Sequence, residues 1–203
     1  MILFSCSKPE KVQYYPNGKF QKTYLKGDSI YVKDLDKNGD LKSEGKFYKG
    51  QKVGKWKYYN AEGGLEKIFE YKNISGLQYT NQGWHFNREG DTIKEEGNYY
   101  KLQPFTKSVK PNEAVRLHFF YKGLFSKSNI YVCVHPKLNE DFSNIDSTKL
   151  DTIFTNSNEF TINMAFRRPG KKNIRGFISE FENSKREDSI VRYIYFDIPI
   201  TVR

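Results

Sequence analysis

The chain has 203 residues, of which 37% are hydrophobic and 16% aromatic, and it carries a formal net charge of +10. This length suits two small domains or one large β-domain, and the many aromatic residues favour strands over helices. No segment approaches the ~20 apolar residues of a membrane-spanning helix, and two cysteines exclude a disulfide framework. The charge is spread over both halves of the chain, which excludes a basic tail and weakly favours anionic partners.

The first residues raise the question of export. Leu3-Phe4-Ser5-Cys6 resembles the bacterial lipobox, in which an aliphatic residue and a small residue precede the lipid-modified cysteine. Only five residues precede Cys6, so this interpretation requires a start codon further upstream. It implies a lipid anchor on Cys6, with residues 1–11 as signal remnant and tether. The alternative is an ordinary N-terminal tail whose cysteine is incidental.

A repeated pattern runs through residues 12–101. Four segments each place an aromatic residue or leucine before a turn glycine and an apolar residue shortly after it; the glycines are Gly18, Gly39, Gly63 and Gly90. Asn17-Gly18 and Asn38-Gly39 predict two-residue type I′ hairpin turns, which need positive φ at both central residues. A repeat of this length predicts hairpins that stack and bury their faces on one another.

The segment YKGQKVGKWKYYNAEGGLEKIFEYK carries this pattern most fully, with a Gly-x-x-x-Gly-x-Trp run followed by tyrosines. The residues at the motif positions are Gly50, Gly54, Trp56, Tyr58 and Tyr59. The segment resembles the MORN-repeat variant family, and the resemblance extends loosely over residues 12–101. It implies an elongated sheet of stacked, aromatic-bearing hairpins and says little about function.

Alternation along this strand divides its side chains between two faces. Trp56 and Tyr58 are expected to pack into the sheet, while Lys55, Lys57 and Tyr59 lie on the other, exposed face. This exposed set is a candidate binding surface for polyanions or glycans. The simpler interpretation is a solvent-side ladder of cross-strand pairs.

The second half predicts a separate domain. Prolines and polar residues make 102–113 a linker, and residues 114–203 contain short strands at the spacing of a β-sandwich. A Pro169-Gly170 turn between two of these strands resembles bacterial Ig-like domains, although their disulfide pair is missing. The predicted fold class is therefore all-β, with a stacked hairpin sheet followed by an Ig-like antiparallel sandwich.

A cluster of cations surrounds that turn and is the second candidate binding surface. Five of nine residues are basic: Arg167, Arg168, Lys171, Lys172 and Arg175. A lipid or nucleic-acid patch is one interpretation, but no aromatic side chain lies in the turn to stack on a base, so nucleic acid is not favoured. The alternative is a solvated hairpin tip.

Asp-Ser and Asp-Thr pairs recur five times, in the segments DSI, DTI, DST, DTI and DSI. They resemble the Asp-Ser/Thr-aliphatic sequon at which some Gram-negative bacteria O-glycosylate exported proteins. The candidate hydroxyls belong to Ser29, Thr92, Ser147, Thr152 and Ser189. The alternative is that Asp begins a turn and Thr and Ile begin a strand.

Sequence signatures of catalysis and metal binding are missing. His85, His118 and His135 lie far apart, and the sequence has no H-x-x-x-H, C-x-x-C, nucleophile-elbow, P-loop or Rossmann pattern. These observations predict a non-enzyme without metal or cofactor.

The leading hypothesis is a lipoprotein of the bacterial outer membrane or periplasm, anchored through Cys6, that binds a protein or glycan. The alternative is a cytosolic antitoxin or immunity-type protein that binds a toxin, a role some MORN-variant proteins are assigned.

Overall fold

A computed structural model of the chain describes residues 11–14, 20–26, 29–125, 128–182 and 191–203. The fold is all-β, as the sequence predicts. The chain divides into two compact units, which are described separately. The first unit comprises residues 1–73 and 77–93, and the second comprises residues 74–76 and 94–203. The described residues contain no helix that is long and apolar enough to cross a membrane.

The first unit is one seven-stranded sheet in which every strand is hydrogen-bonded to the next one along the chain. This is the simplest topology for consecutive hairpins. The strands are β1 (Lys11–Tyr14), β2 (Phe20–Lys26), β3 (Ser29–Leu35), β4 (Leu41–Tyr48), β5 (Gln51–Tyr59), β6 (Leu65–Ile74) and β7 (Leu77–His85).

The repeat is visible in three loops that share one hydrogen-bond pattern. In the loop of residues 36–40, the backbone N–H of Asp36 donates to the carbonyl of Asp40, and the N–H of Gly39 donates back to the Asp36 carbonyl. The loops of residues 60–64 and 87–91 repeat both bonds. In all three, the side chain of the first residue also accepts the N–H of the fifth; these first residues are Asp36, Asn60 and Asn87.

The type I′ turn predicted at Asn38-Gly39 is wrong, because only Gly39 has a positive φ, of 89°. The Asp36 carboxylate accepts the N–H groups of Asn38 and Asp40 and so stabilises a wider loop. Two-residue turns with positive φ at both positions lie instead at Lys49-Gly50 and Ser75-Gly76. Asn17-Gly18 lies outside the described residues.

The second unit contains two sheets. The three-stranded sheet has the order β13-β10-β8 and the five-stranded sheet the order β12-β11-β14-β15-β9. The strands are β8 (Tyr99–Leu102), β9 (Ser108–Val109), β10 (Ala114–Lys122), β11 (Ser128–Val134), β12 (Asp151–Thr155), β13 (Glu159–Ala165), β14 (Gly170–Glu182) and β15 (Val191–Val202), and a 3₁₀ turn spans Lys94–Glu96. All described pairings are antiparallel except that of β9 with β15.

Apolar side chains from both sheets form one core, so the second unit is a sandwich. Phe119 of the smaller sheet stacks on Phe160 at 5.0 Å between ring centroids and also contacts Phe196 of the larger sheet at 5.1 Å. Along β15, Ile194, Phe196 and alternate residues to Val202 are buried in this core, which is the period of two expected of a strand.

Strands of the second unit begin before the linker predicted at residues 102–113. Tyr99–Leu102 pairs with β10, and Ser108–Val109 pairs with β15. Residues 99–101, which the hairpin repeat was expected to include, therefore pair with a strand of the second unit.

Candidate binding site

The cations around the Pro169-Gly170 turn line an open cleft of the second unit, with a volume of about 670 Å³. We call it the cationic cleft. It lies between the hairpin that joins β13 to β14 and the segment that follows β11. Among the described residues, six basic side chains and no acidic one line it; the six are Lys137, Arg167, Arg168, Lys171, Lys172 and Arg175.

Arg175 ties the two sides of the cleft together. Its Nε lies 2.9 Å from Oδ2 of Asp197 on the neighbouring strand, and its Nη1 donates to the carbonyl of Leu138 at 2.9 Å. Asn173 donates to the other oxygen of Asp197. The backbone carbonyl of Arg175 also accepts the N–H of His135. These bonds hold the segment containing Lys137 beside the basic turn.

The other five cations have no carboxylate within ion-pair distance among the residues that the structure describes. Lys137, Arg167, Arg168 and Lys171 are exposed, and Lys172 is half-buried. Like charges that line one cleft repel one another, and an anion in the cleft would relieve that repulsion. Chemically, the arrangement can bind carboxylate, sulfate or phosphate groups, with the arginines able to form bidentate pairs.

The other predicted surface is occupied by contacts within the first unit. Lys57 Nζ lies 3.4 Å from the Glu44 carboxylate, and the Tyr59 hydroxyl donates to it at 2.7 Å. Lys55 Nζ lies 4.7 Å from the ring centroid of Trp84. The structure therefore places all three residues in cross-strand contacts.

Glu44 is the centre of that face and is only 8% exposed. Burial raises its pKa, but hydrogen bonds from Tyr59 and Tyr31 and the charges of Lys57 and Lys33 outweigh burial and lower the pKa below the usual glutamate value. Burial, followed by hydrogen bonding to Glu44, raises the pKa of Tyr31 to about 12. The Glu44 carboxylate thus stays ionised and has a structural role, because tyrosine hydroxyls and lysine ammonium groups surround it.

The opposite face of the same strand contains Lys52, which no sequence motif marks as a site residue. Lys52 Nζ lies 4.2 Å from the ring centroid of Trp56 and donates to the Tyr58 hydroxyl at 3.0 Å, and that hydroxyl is 2.8 Å from the hydroxyl of Tyr71. Trp56 is fully buried, as expected, because its ring covers Gly45. Tyr58 is half-buried.

The candidate modification sites are scattered over the chain. Ser29 and Thr92 are half-buried, whereas Ser147 and Thr152 are exposed. Ser189 and the candidate lipidation residue Cys6 lie outside the described residues. Cys133 is buried and unpaired, near the Thr152 hydroxyl.

Nothing in the described part of the chain gathers three or more His, Cys, Asp or Glu side chains into a group that could hold a metal ion. His118 Nδ1 instead lies 2.8 Å from the Thr161 hydroxyl.

No protein-family model matches the sequence, and no curated protein matches it. The chemistry of its own residues therefore carries the functional argument.

Proposed function

We propose that this chain is a non-catalytic, lipid-anchored protein of the bacterial cell envelope, and that it binds an acidic glycan in the cationic cleft. The observation that carries the proposal is the convergence of six basic side chains, from two separate segments, on a cleft that no acidic side chain lines in the part of the chain that the structure describes. A carboxylated or phosphorylated polysaccharide presents regularly spaced anions to such a cleft and would displace the counterions of its cations.

The anchor is supported by the sequence alone. An aliphatic and a small residue precede Cys6, and the polar segment that follows would act as a tether. Stable anchoring requires two or more acyl chains, because one chain gives only marginal membrane binding. The mass of the mature N-terminal peptide, from protein expressed with its natural upstream DNA, tests this part. A diacylated peptide beginning at Cys6 is expected; an unmodified peptide beginning at Met1 would favour the cytosolic toxin-binding alternative.

The cleft is tested by titrating the full chain with polygalacturonate, a carboxylated glycan, at increasing salt. We expect binding that weakens steeply with salt, because several ion pairs form together. The double variant Arg167→Glu/Arg168→Glu should weaken binding at least about tenfold. The matched control is Lys107→Glu/Lys110→Glu, which changes the net charge equally at exposed lysines outside the cleft.

Equal losses in the two double variants would show that only net charge matters and would contradict a site in the cleft. Salt-insensitive binding, or none, would also contradict it. Single-stranded DNA bound more tightly than polygalacturonate would redirect the proposal to nucleic acid.

A further inference from the structure

The outer face of the five-stranded sheet in the second unit carries a row of aromatic side chains. Phe154, Tyr131, Ser179 and Tyr193 lie opposite one another in register on β12, β11, β14 and β15. Their sequence neighbours Ile130, Ile178 and Ile194 point into the sandwich core and are fully buried. The row therefore faces away from the core, on the side of the sheet that the three-stranded sheet does not cover. We call it the aromatic row.

The row has the profile of a shallow trough. Phe154 is 57% exposed, Tyr131 37% and Tyr193 36%, whereas Ser179 between the two tyrosines is 8% exposed. Tyr131 is fixed in place because it contacts Phe154 and stacks on Phe181, each at 5.1 Å between centroids. The small serine thus forms a floor between rims made of aromatic rings.

The trough is uncharged in a chain in which 29% of the residues carry a charge. The adjacent row on the same face is also uncharged, but of its members Thr152, Cys133, Phe177 and Tyr195 only Thr152 is exposed, so this row lies outside the trough. An acidic or basic ligand would gain nothing here, so the chemistry differs from that of the cationic cleft.

The size of the aromatic row indicates whether its ligand is a protein or a single oligosaccharide chain. Four strands span three interstrand spacings, about 14 Å, and one to two residues along the strands span about 7 Å. The resulting patch of roughly 100 Å² is far below the ~800 Å² that each partner buries in a standard protein interface. It matches the width of a single oligosaccharide chain.

We propose that the aromatic row binds a neutral, β-linked glycan, independently of the cationic cleft. The C–H groups on a pyranose face carry partial positive charge and stack on the negative face of an aromatic ring. Tyr131, Tyr193 and Ser179 also carry hydroxyls that can exchange hydrogen bonds with sugar hydroxyls. A flat β-linked chain would lie across the strands, with sugars on the rings at either side of Ser179.

Calorimetric titration of the full chain with cellohexaose, chitohexaose and laminarihexaose tests this proposal. We expect at least one to bind, with an affinity that does not change between low and high salt, which distinguishes it from ionic binding in the cleft. Phe154→Ala and Tyr193→Ala should each weaken binding about tenfold. Phe154 lies at a sheet edge and is the most exposed of the three rings, so its removal leaves the core intact.

Phe120→Ala is the matched control, because Phe120 is a 38% exposed aromatic residue on the other sheet of the same unit. It should change the affinity less than about twofold. Absence of binding to all three hexasaccharides, or equal losses in the control, would overturn the proposal. A concentration-dependent dimer that Phe154→Ala abolishes would assign the row to a second copy of the chain and would overturn it as well.

Discussion

The two units of this chain stabilise their sheets by different means. In the first unit, the buried hydrophobic residues among the described side chains are Val32, Leu35 and Trp56. The second unit has a continuous apolar core in which residues such as Phe119 and Phe196 are fully buried. The first unit compensates with side-chain contacts on its sheet: lysines lie over aromatic rings, both within β5 and between β5 and β7, and a tyrosine of β5 donates to a carboxylate of β4.

The contrast shows that lysine-rich strands are not in themselves a binding signal. Lys52 and Lys57 of the first unit are held by aromatic and acidic neighbours, whereas Arg167 and Lys171 of the second project from a turn whose neighbours are also basic. Lys52 and Lys57 therefore contribute to the sheet of the first unit. A cation in the cleft can contribute to binding instead.

The largest expected effect comes from Phe119→Ala in the core of the second unit. Removing a fully buried phenylalanine should cost about 3–5 kcal/mol of unfolding free energy. Both tryptophans, Trp56 and Trp84, lie in the first unit, so their fluorescence reports that unit while circular dichroism reports both. The urea midpoint should fall in circular dichroism but not in tryptophan fluorescence. A shift in the fluorescence midpoint as large as that in circular dichroism would contradict two separately stabilised units.

Gly45→Ala should have the next largest effect, and in the first unit. A Cβ on Gly45 would lie 2.3 Å from the Trp56 ring, so the indole must move. Overpacking of this kind costs about 1–3 kcal/mol, and tryptophan fluorescence in urea should report it. The control is Gly64→Ala, whose Cβ would meet only the Asn60 side chain at 3.1 Å. Equal destabilisation by both variants would show that Trp56 is not packed on this glycine.

The lowered pKa of Glu44 predicts how the stability of the first unit depends on pH. Burial raises the Glu44 pKa, but the surrounding tyrosines and lysines lower it overall. The ionised carboxylate therefore stabilises the fold fully above pH 4.5, the ordinary glutamate pKa. This stabilisation is lost as the pH falls through the lowered pKa of Glu44. At the alkaline end, the pKa of Tyr31 is raised from 10.0 to about 12. The stabilisation from the protonated Tyr31 hydroxyl is therefore complete below pH 10 and is lost as the pH approaches 12.

The acid effect is measured as the urea midpoint of tryptophan fluorescence against pH. Wild type should lose stability on acidification, whereas Glu44→Gln should start less stable and show a flatter acid limb. The same slope in both proteins would show that Glu44 does not carry the acid dependence.

Lys57→Ala should have the smallest effect. Lys57 is half exposed at its side chain and pairs with Glu44 at 3.4 Å, and such surface pairs contribute less than about 1 kcal/mol. Lys37→Ala, at an exposed lysine in the loop between β3 and β4, is the control. A loss well above 1 kcal/mol for Lys57→Ala alone would mean that the ladder on this face stabilises the unit more strongly than ion pairs explain.

Much of the fold could be predicted from local patterns. Alternating apolar residues gave the strands, and the glycines Gly39, Gly63 and Gly90 mark the repeated loops because each has a positive φ. The loop geometry was harder to predict, since it depends on the carboxylate or amide three residues before each glycine. Lys49-Gly50 was missed as a turn because lysine carries no strong turn preference.

The candidate sites depend more on tertiary structure. Arg167 to Lys172 could be identified because they are neighbours in sequence. Lys137 is thirty residues away, and its segment reaches the cleft through the pairing of β11 with β14 and the bonds of Arg175 with His135 and Leu138. The aromatic row depends on the register of four strands, which no local pattern specifies.

The most direct test of the account is amide hydrogen exchange of the full chain with and without saturating polygalacturonate. The central claim, that acidic ligands bind the second unit at the cationic cleft, predicts slower exchange in residues 136–138 and 166–175 and unchanged exchange in β3, β4 and β5. Protection centred on β5, around Lys55 and Lys57, would contradict the claim and place the binding surface on the first unit.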